Sequence, residues 1–172
     1  MNNIQLRQAN INDLTALQAI GRATFLETFA ASNSAENMQA YLDEGFSEEK
    51  MRTELLNTQS QFYFAEKAGE ILGYLKLNGG DAQSEKQDPK ALEIERIYVL
   101  QVYQGQSVGQ MLYEKALVIA QNMQAPYLWL GVWEENMKAI HFYQKQGFKE
   151  FGEHIFQLGD DAQRDVLMKL EI

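Results

Sequence analysis

Apolar and polar positions change their period along this chain in a regular order. "IQLRQA" (4–9) alternates as a half-buried strand does. Leu14, Leu17, Ile20, Thr24 and Phe25 follow at helical spacing, and Asp13 stands where a helix cap is expected. Ser34, with Asn37 three residues on, opens a second helical stretch, and Ser47 with Lys50 opens a third. Two aromatic and aliphatic runs around "KAGE" predict a hairpin. "GGDAQSEKQDPK" (79–90) is low in hydrophobicity and reads as a mobile surface connection. A β-branched run at 92–99, a helix from about 107 to 122, the strand "PYLWLGV", the helix "ENMKAIHFYQKQ" and a hairpin around "GDDA" complete the order. The pattern predicts an α/β fold, a mixed central sheet flanked by helices and closed by an antiparallel pair, in one domain over residues 1–172.

Composition narrows the function. The net charge of −9 argues against a nucleic-acid binder, because phosphate backbones need Lys and Arg. It suits a cationic small molecule, and it suits simple solubility as well. The absence of cysteine excludes disulfides, thiolate metal sites and a Cys nucleophile, and no metal site is expected. No apolar run has transmembrane length and the first residues lack a signal-peptide core, so the expected location is cytoplasmic, with no membrane partner. Nothing fixes the oligomeric state; a homodimer is compatible with the sequence.

Candidate chemistry begins at the seam between "LEIERIYV" (92–99) and the helix after it, where "VYQGQSVGQ" places two glycines and a serine. It is not a Walker loop, since no Gly-Lys-Ser/Thr ends it. It is not the dinucleotide fingerprint, because Gly105 and Gly109 are four apart without a middle glycine. An ordinary tight turn and a phosphate cradle both remain open at this point. A cradle would work through free N–H groups at the helix start; the helix dipole adds only about 0.3–1 kcal/mol.

"IYVLQVYQGQSVGQMLYEKA" and "LGVWEENMKAIHFYQKQGFKEFG" together resemble the GNAT superfamily of acetyl-CoA-dependent N-acetyltransferases. Gln104, Ser107 and Gly109 match the family's Gln/Arg-x-x-Gly-x-Gly/Ala turn, with Ser107 where glycine is usual. Asn136, Ala139, Phe142, Tyr143, Gly147 and Phe148 match its Asn-x-x-Ala-x-x-Phe-Tyr-x-x-x-Gly-Phe pattern. The resemblance implies acetyl-CoA as cosubstrate, its pyrophosphate held by the turn Gln104, Gly105, Gln106, Ser107, Val108, Gly109 and Gln110. It implies that the backbone of Ile97, Tyr98 and Val99 meets the pantetheine arm and that Asn136 contacts the cofactor, although Asn136 also suits a helix cap. A positive φ at Ser107 would add strain of about 1–3 kcal/mol.

The same resemblance makes Tyr143 the general acid for the departing thiolate; a core tyrosine is the other reading. Glu95 is the candidate base, directly or through water, or else a surface-facing partner of Arg96 or another cation. His141 and His154 could serve as bases or as structural groups. The segment "GRATFLETFAASNSAENMQAYLDEGFS" resembles that of PaiA-type spermidine/spermine N-acetyltransferases and implies an acceptor pocket containing Phe25 and Phe29. Glu27, Glu36, Asp43 and Glu44 would then attract a polyamine, or else simply face solvent. The activity expected is direct acetyl transfer to a small-molecule primary amine, first a polyamine such as spermidine. The alternatives are a protein N-terminus or lysine as acceptor, and a non-catalytic acyl-CoA-binding regulator.

Overall fold

The computed structural model describes residues 3–172. In chain order its elements are β1 (Gln5–Gln8), α1 (Leu14–Phe29), α2 (Ala35–Gly45), α3 (Glu48–Leu56), β2 (Ser60–Lys67) and β3 (Glu70–Gly79). There follow β4 (Leu92–Val99), α4 (Val108–Asn122), β5 (Tyr127–Trp133), α5 (Met137–Lys145), β6 (Lys149–Leu158) and β7 (Asp161–Glu171). The strands form one mixed seven-stranded sheet in the order β1-β2-β3-β4-β5-β7-β6. Among the described residues β4 and β5 are the only parallel neighbours.

Strand alternation divides the core into two layers. Phe62, Phe64 and Tyr74 face α1, α2 and α3, whereas Tyr63, Ala65, Leu75 and Leu77 face α4 and α5. The serine caps form as the sequence predicts: Asn37 N–H donates to Ser34 Oγ at 3.1 Å and Lys50 N–H to Ser47 Oγ at 3.2 Å. Asp13 does not cap α1. Its carboxylate turns back to accept from Asn10 N–H at 2.8 Å and from Arg7 at 3.0 Å, closing a 3-10 turn (Ile11–Asp13) that starts at Asn10.

The 79–90 connection is pinned rather than free. Trp129 Nε1–H donates to Gln83 Oε1 at 2.7 Å, Tyr127 O–H donates to Gln87 at 2.8 Å, and Ser84 N–H donates to Glu93 at 2.8 Å. Low hydrophobicity here reflects polar anchoring to β4 and β5, which a reading by hydropathy takes for mobility.

Two irregularities in β4 matter most. Lys76 lies opposite Arg96 and Leu77 opposite Ile94, so Glu95 is an extra residue, a bulge. Pairing with β5 covers only Leu92–Leu128, Glu93–Trp129 and Ile94–Leu130, and ends at that bulge. Beyond it β4 stays with β3 while β5 follows β7, and the sheet forks.

A buried ionic cluster holds the bulge. Lys76 pairs with Glu95 and, at 3.1 Å, with Glu54 of α3; Arg96 lies 3.6 Å from Glu54 and over the Phe46 ring. Deleting one member of a buried pair leaves an uncompensated charge and costs about 3–5 kcal/mol. Lys76→Met is therefore expected to lower the unfolding free energy by about 3 kcal/mol in urea titration. A loss below about 1 kcal/mol would show that the cluster does not hold β4.

Candidate active site

The fork creates two adjoining clefts, one on each side of the end of β4. The first is lined by Val99, the turn residues Gln104, Gly105, Ser107, Val108, Gly109 and Gln110, and by Lys138 and Phe142 of α5. The second is lined by Phe25, Phe29, Tyr41, Trp133 and Phe156, together with Glu85, Glu93, Glu95, His154 and Asp165. Thr28, Ile97, Tyr98, Asn136, Ala139 and Tyr143 line both, so these six residues form the shared wall.

The turn's geometry follows from its sequence. Gly105 has φ +80° and Ser107 φ 66°, so serine does occupy the left-handed region that glycine adopts freely. That kink starts α4 abruptly. Its first helical bond joins Met111 N–H to Ser107 C=O at 3.0 Å, which leaves the N–H groups of Val108, Gly109 and Gln110 without protein acceptors among the described residues. A Cβ built at Gly105 would meet nothing within 4 Å, and one at Gly109 only Val99 Cγ2 at 3.9 Å. The glycines therefore leave open space above a row of donors, a shape that fits a pyrophosphate. Lys138 adds a cation at its rim, donating to Gln104 Oε1 at 3.1 Å.

The expected cofactor residues Ile97, Tyr98, Val99, Gln104, Gly105, Ser107, Val108, Gly109, Gln110 and Asn136 all line this cleft. Gln106 does not; its side-chain amide turns away to Val102 C=O at 3.3 Å. Asn136 caps α5, accepting from Ala139 N–H at 3.2 Å, and still faces both clefts. Lys138 escaped the sequence reading, although its place in the first turn of α5, two residues after Asn136, was a usable signal.

Tyr143 is buried, and its hydroxyl has no hydrogen-bond partner among the described residues. Burial pushes the phenol well above its ordinary value, with Tyr113 adding to the effect. The hydroxyl therefore stays protonated at the wall between the clefts. Phe25 and Phe29 are also nearly buried; Phe25 stacks on Tyr41 at 4.2 Å and Phe29 tilts against Trp133 at 5.4 Å. They serve the core and the cleft wall together.

Glu95, read from the sequence as a base or as the partner of a cation, is ion-paired. Burial alone would raise its pKa, but Arg96 and Lys76 bring it down to about 2, and Asn78 donates to it at 2.8 Å. A carboxylate so paired is a weak proton acceptor and a strong structural anchor. His141 is exposed on α5 and reaches neither cleft, while His154 lines the second cleft and pairs with Glu85. Glu27, Glu36, Asp43 and Glu44 are exposed and line neither cleft. The cleft's acids come instead from β4, β7 and the 79–90 connection.

Gly109→Glu tests the cradle. The new side chain meets only Val99 at its base, so the protein should fold with an unchanged melting temperature. A carboxylate placed against the phosphate position is expected to weaken coenzyme A binding at least about 100-fold by calorimetry, a loss of about 2.7 kcal/mol. Unchanged affinity in the folded variant would remove the turn from the site.

Comparison with known proteins agrees with this arrangement. Residues 23–148 match the acetyltransferase (GNAT) family. An uncharacterized N-acetyltransferase from the pepI 3′ region of Lactobacillus delbrueckii subsp. lactis is 43% identical over 169 residues, 98% of each chain. A spermidine N(1)-acetyltransferase of Thermoplasma acidophilum is 27% identical over 150 residues, covering 85% of this chain and 88% of that one. The crystal structure of the PaiA N-acetyltransferase from T. acidophilum in complex with coenzyme A superimposes with a TM-score of 0.79 at 24% identity, over 98% and 99% of the two chains. With the family matched over most of its length, a two-cleft fork and an anion cradle at α4, the chain belongs to the GNAT family and is an acetyl-CoA-dependent N-acetyltransferase.

Proposed function

We propose that this enzyme transfers acetyl directly to a small-molecule primary amine, and that a polyamine such as spermidine is its acceptor. The observation that carries the reading is the charge of the second cleft where it meets the cofactor cleft. Lys76 and Arg96 are matched by Glu54 and Glu95, which leaves Glu85, Glu93 and Asp165 facing one His154. The aromatic walls of Phe25, Phe29, Tyr41 and Trp133 suit the methylene segments of a polyamine, and its ammonium groups suit the carboxylates. The likeness to a spermidine N(1)-acetyltransferase supports the same class.

The residues divide the chemistry between them. The turn and Lys138 anchor the phosphates, and β4 backbone groups freed by the fork receive the pantetheine arm and polarise the thioester carbonyl. Tyr143 supports departure of the thiolate. Its pKa lies above that of a thiol, about 8.5, so the proton does not simply move from phenol to sulfur at equilibrium. The hydroxyl donates as the C–S bond breaks and regains a proton from the newly acylated nitrogen, which must lose one in any case.

Two outcomes are expected. Tyr143→Phe keeps the ring and its packing, and should lower kcat by about 10²–10⁴-fold with little change in the KM for acetyl-CoA. A loss under about threefold, with chemistry rate-limiting, would return Tyr143 to a packing role. For the acceptor, kcat/KM should favour spermidine over propylamine at low salt, and the preference should shrink as the screening length falls below about 8 Å. Equal use of both amines at every salt concentration would sink the polyamine assignment.

A further inference from the structure

Four carboxylates line the acceptor cleft, and they are not equivalent. Glu95 is bound by Lys76 and Asn78. Glu93 is almost fully buried and accepts from Ser84 N–H at 2.8 Å, from the Ser84 hydroxyl and from Asn78 at 3.0 Å. Glu85 is paired with His154. Asp165 alone among the four has no hydrogen-bond or ion-pair partner among the described residues, although it is only partly exposed.

Its position is equally particular. Asp165 lies on β7 opposite Trp133, at the end of β5 and beyond the last residues that pair with β4. Its side chain leans over Gly131, where a Cβ would come within 3.5 Å of Asp165 Oδ2. The carboxylate thus lies in van der Waals reach of the β5 backbone at Gly131, which lines the same cleft.

We infer that Asp165 is the general base that takes the proton from the acceptor ammonium. The inference rests on the reading of the acceptor as a primary amine, but not on its being a polyamine. Asp165 Oδ accepts one proton from R–NH3+, giving R–NH2. The nitrogen lone pair forms the C–N bond to the thioester carbonyl as the C–S bond breaks. The second nitrogen proton leaves by way of Tyr143 to the thiolate, and the products are the amide, the thiol and protonated Asp165, which releases its proton to solvent.

The surroundings suit that task. His154 on β6 faces Asp165 across the strand pair, Glu85 approaches from the 79–90 connection, Tyr98 from β4 and Tyr41 from α2. Burial pushes Asp165 up to about 6, opposed by His154 and assisted by Glu85. Such a carboxylate is ionised at neutral pH and is a better proton acceptor than an ordinary aspartate. The shift also gives a stability sign. The folded chain holds this proton more tightly than the unfolded chain, whose aspartate titrates near about 4. Ionised Asp165 therefore destabilises the fold, a penalty complete above about pH 6 and absent below about pH 4.

The test compares Asp165→Asn with the wild-type enzyme on two one-charge amines at pH 7.5. Propylamine is an ammonium there, while 2,2,2-trifluoroethylamine is already neutral and needs no base. Asp165→Asn is expected to lose about 100-fold or more in kcat/KM on propylamine and less than about tenfold on the fluorinated amine, with coenzyme A affinity unchanged. Its melting temperature should equal or exceed that of wild type at pH 7.5, with the gain gone below about pH 4. Asp165→Ser, smaller than Asp, carries the same comparison if the Asn variant folds poorly. Equal losses on the two amines, or a loss below about threefold on propylamine, would overturn the assignment. Failure of spermidine as a substrate would overturn only the polyamine reading, because neither probe is a polyamine.

Discussion

The site depends on one interruption in the hydrogen-bonding of the sheet. β4 and β5 run parallel and pair through Ile94 and Leu130, and then they part at the Glu95 bulge. A parallel pair that continued would satisfy its own backbone and leave no room between the strands. By separating, the strands expose β4 backbone groups to a ligand and open a wall that two clefts share. Both clefts, with Tyr143 in their shared wall, are arranged around this fork.

Holding the fork open requires groups that are unfavourable by themselves. Lys76, Arg96, Glu54 and Glu95 are charges placed under β4, each tolerable because the others are there. Ser107 keeps a left-handed backbone so that α4 begins with its amides pointing into the cradle. Asp165 stays partly desolvated without a hydrogen-bond or ion-pair partner among the described residues. These features lie around the two adjoining clefts, Ser107 on one and Glu95 and Asp165 on the other. Local strain and unpaired charge concentrated at one place in an otherwise well-paired fold mark a site kept for chemistry.

The two aromatic cores give the fork its rigidity. Phe62, Phe64 and Tyr74 anchor one sheet face to α1, α2 and α3, and Leu72, Leu112, Tyr113 and Phe148 fill the other. Phe25 and Phe29 belong to the first core and to the wall of the second cleft at once, so any movement that reshapes that cleft also disturbs packing. Tyr143 stands in the second core in the same double capacity.

Much of this was legible in the sequence where the determining interactions are local. Alternation and helical spacing marked the strands and helices, and Ser34 and Ser47 marked two caps because a cap reaches only three residues ahead. The glycines and serine before α4 marked the turn that lines the first cleft, and the spaced residues Asn136, Ala139, Phe142 and Tyr143 marked α5, since both are contiguous motifs. What sequence could not supply is which distant side chains meet. Asp13 turned back to Arg7 and Asn10 instead of capping α1. Glu95 had two readings, base or ion-pair partner, and the sequence could not show that Lys76, nineteen residues earlier on the neighbouring strand, pairs with it. The acidic residues of the first two helices were visible but solvated, whereas Glu85, Glu93 and Asp165 converge from three separate segments. The chain's local periods determined its elements and its family turn. Only the tertiary structure decided which carboxylate is neutralised and which stays free, because pairing and desolvation depend on neighbours brought together by the sheet.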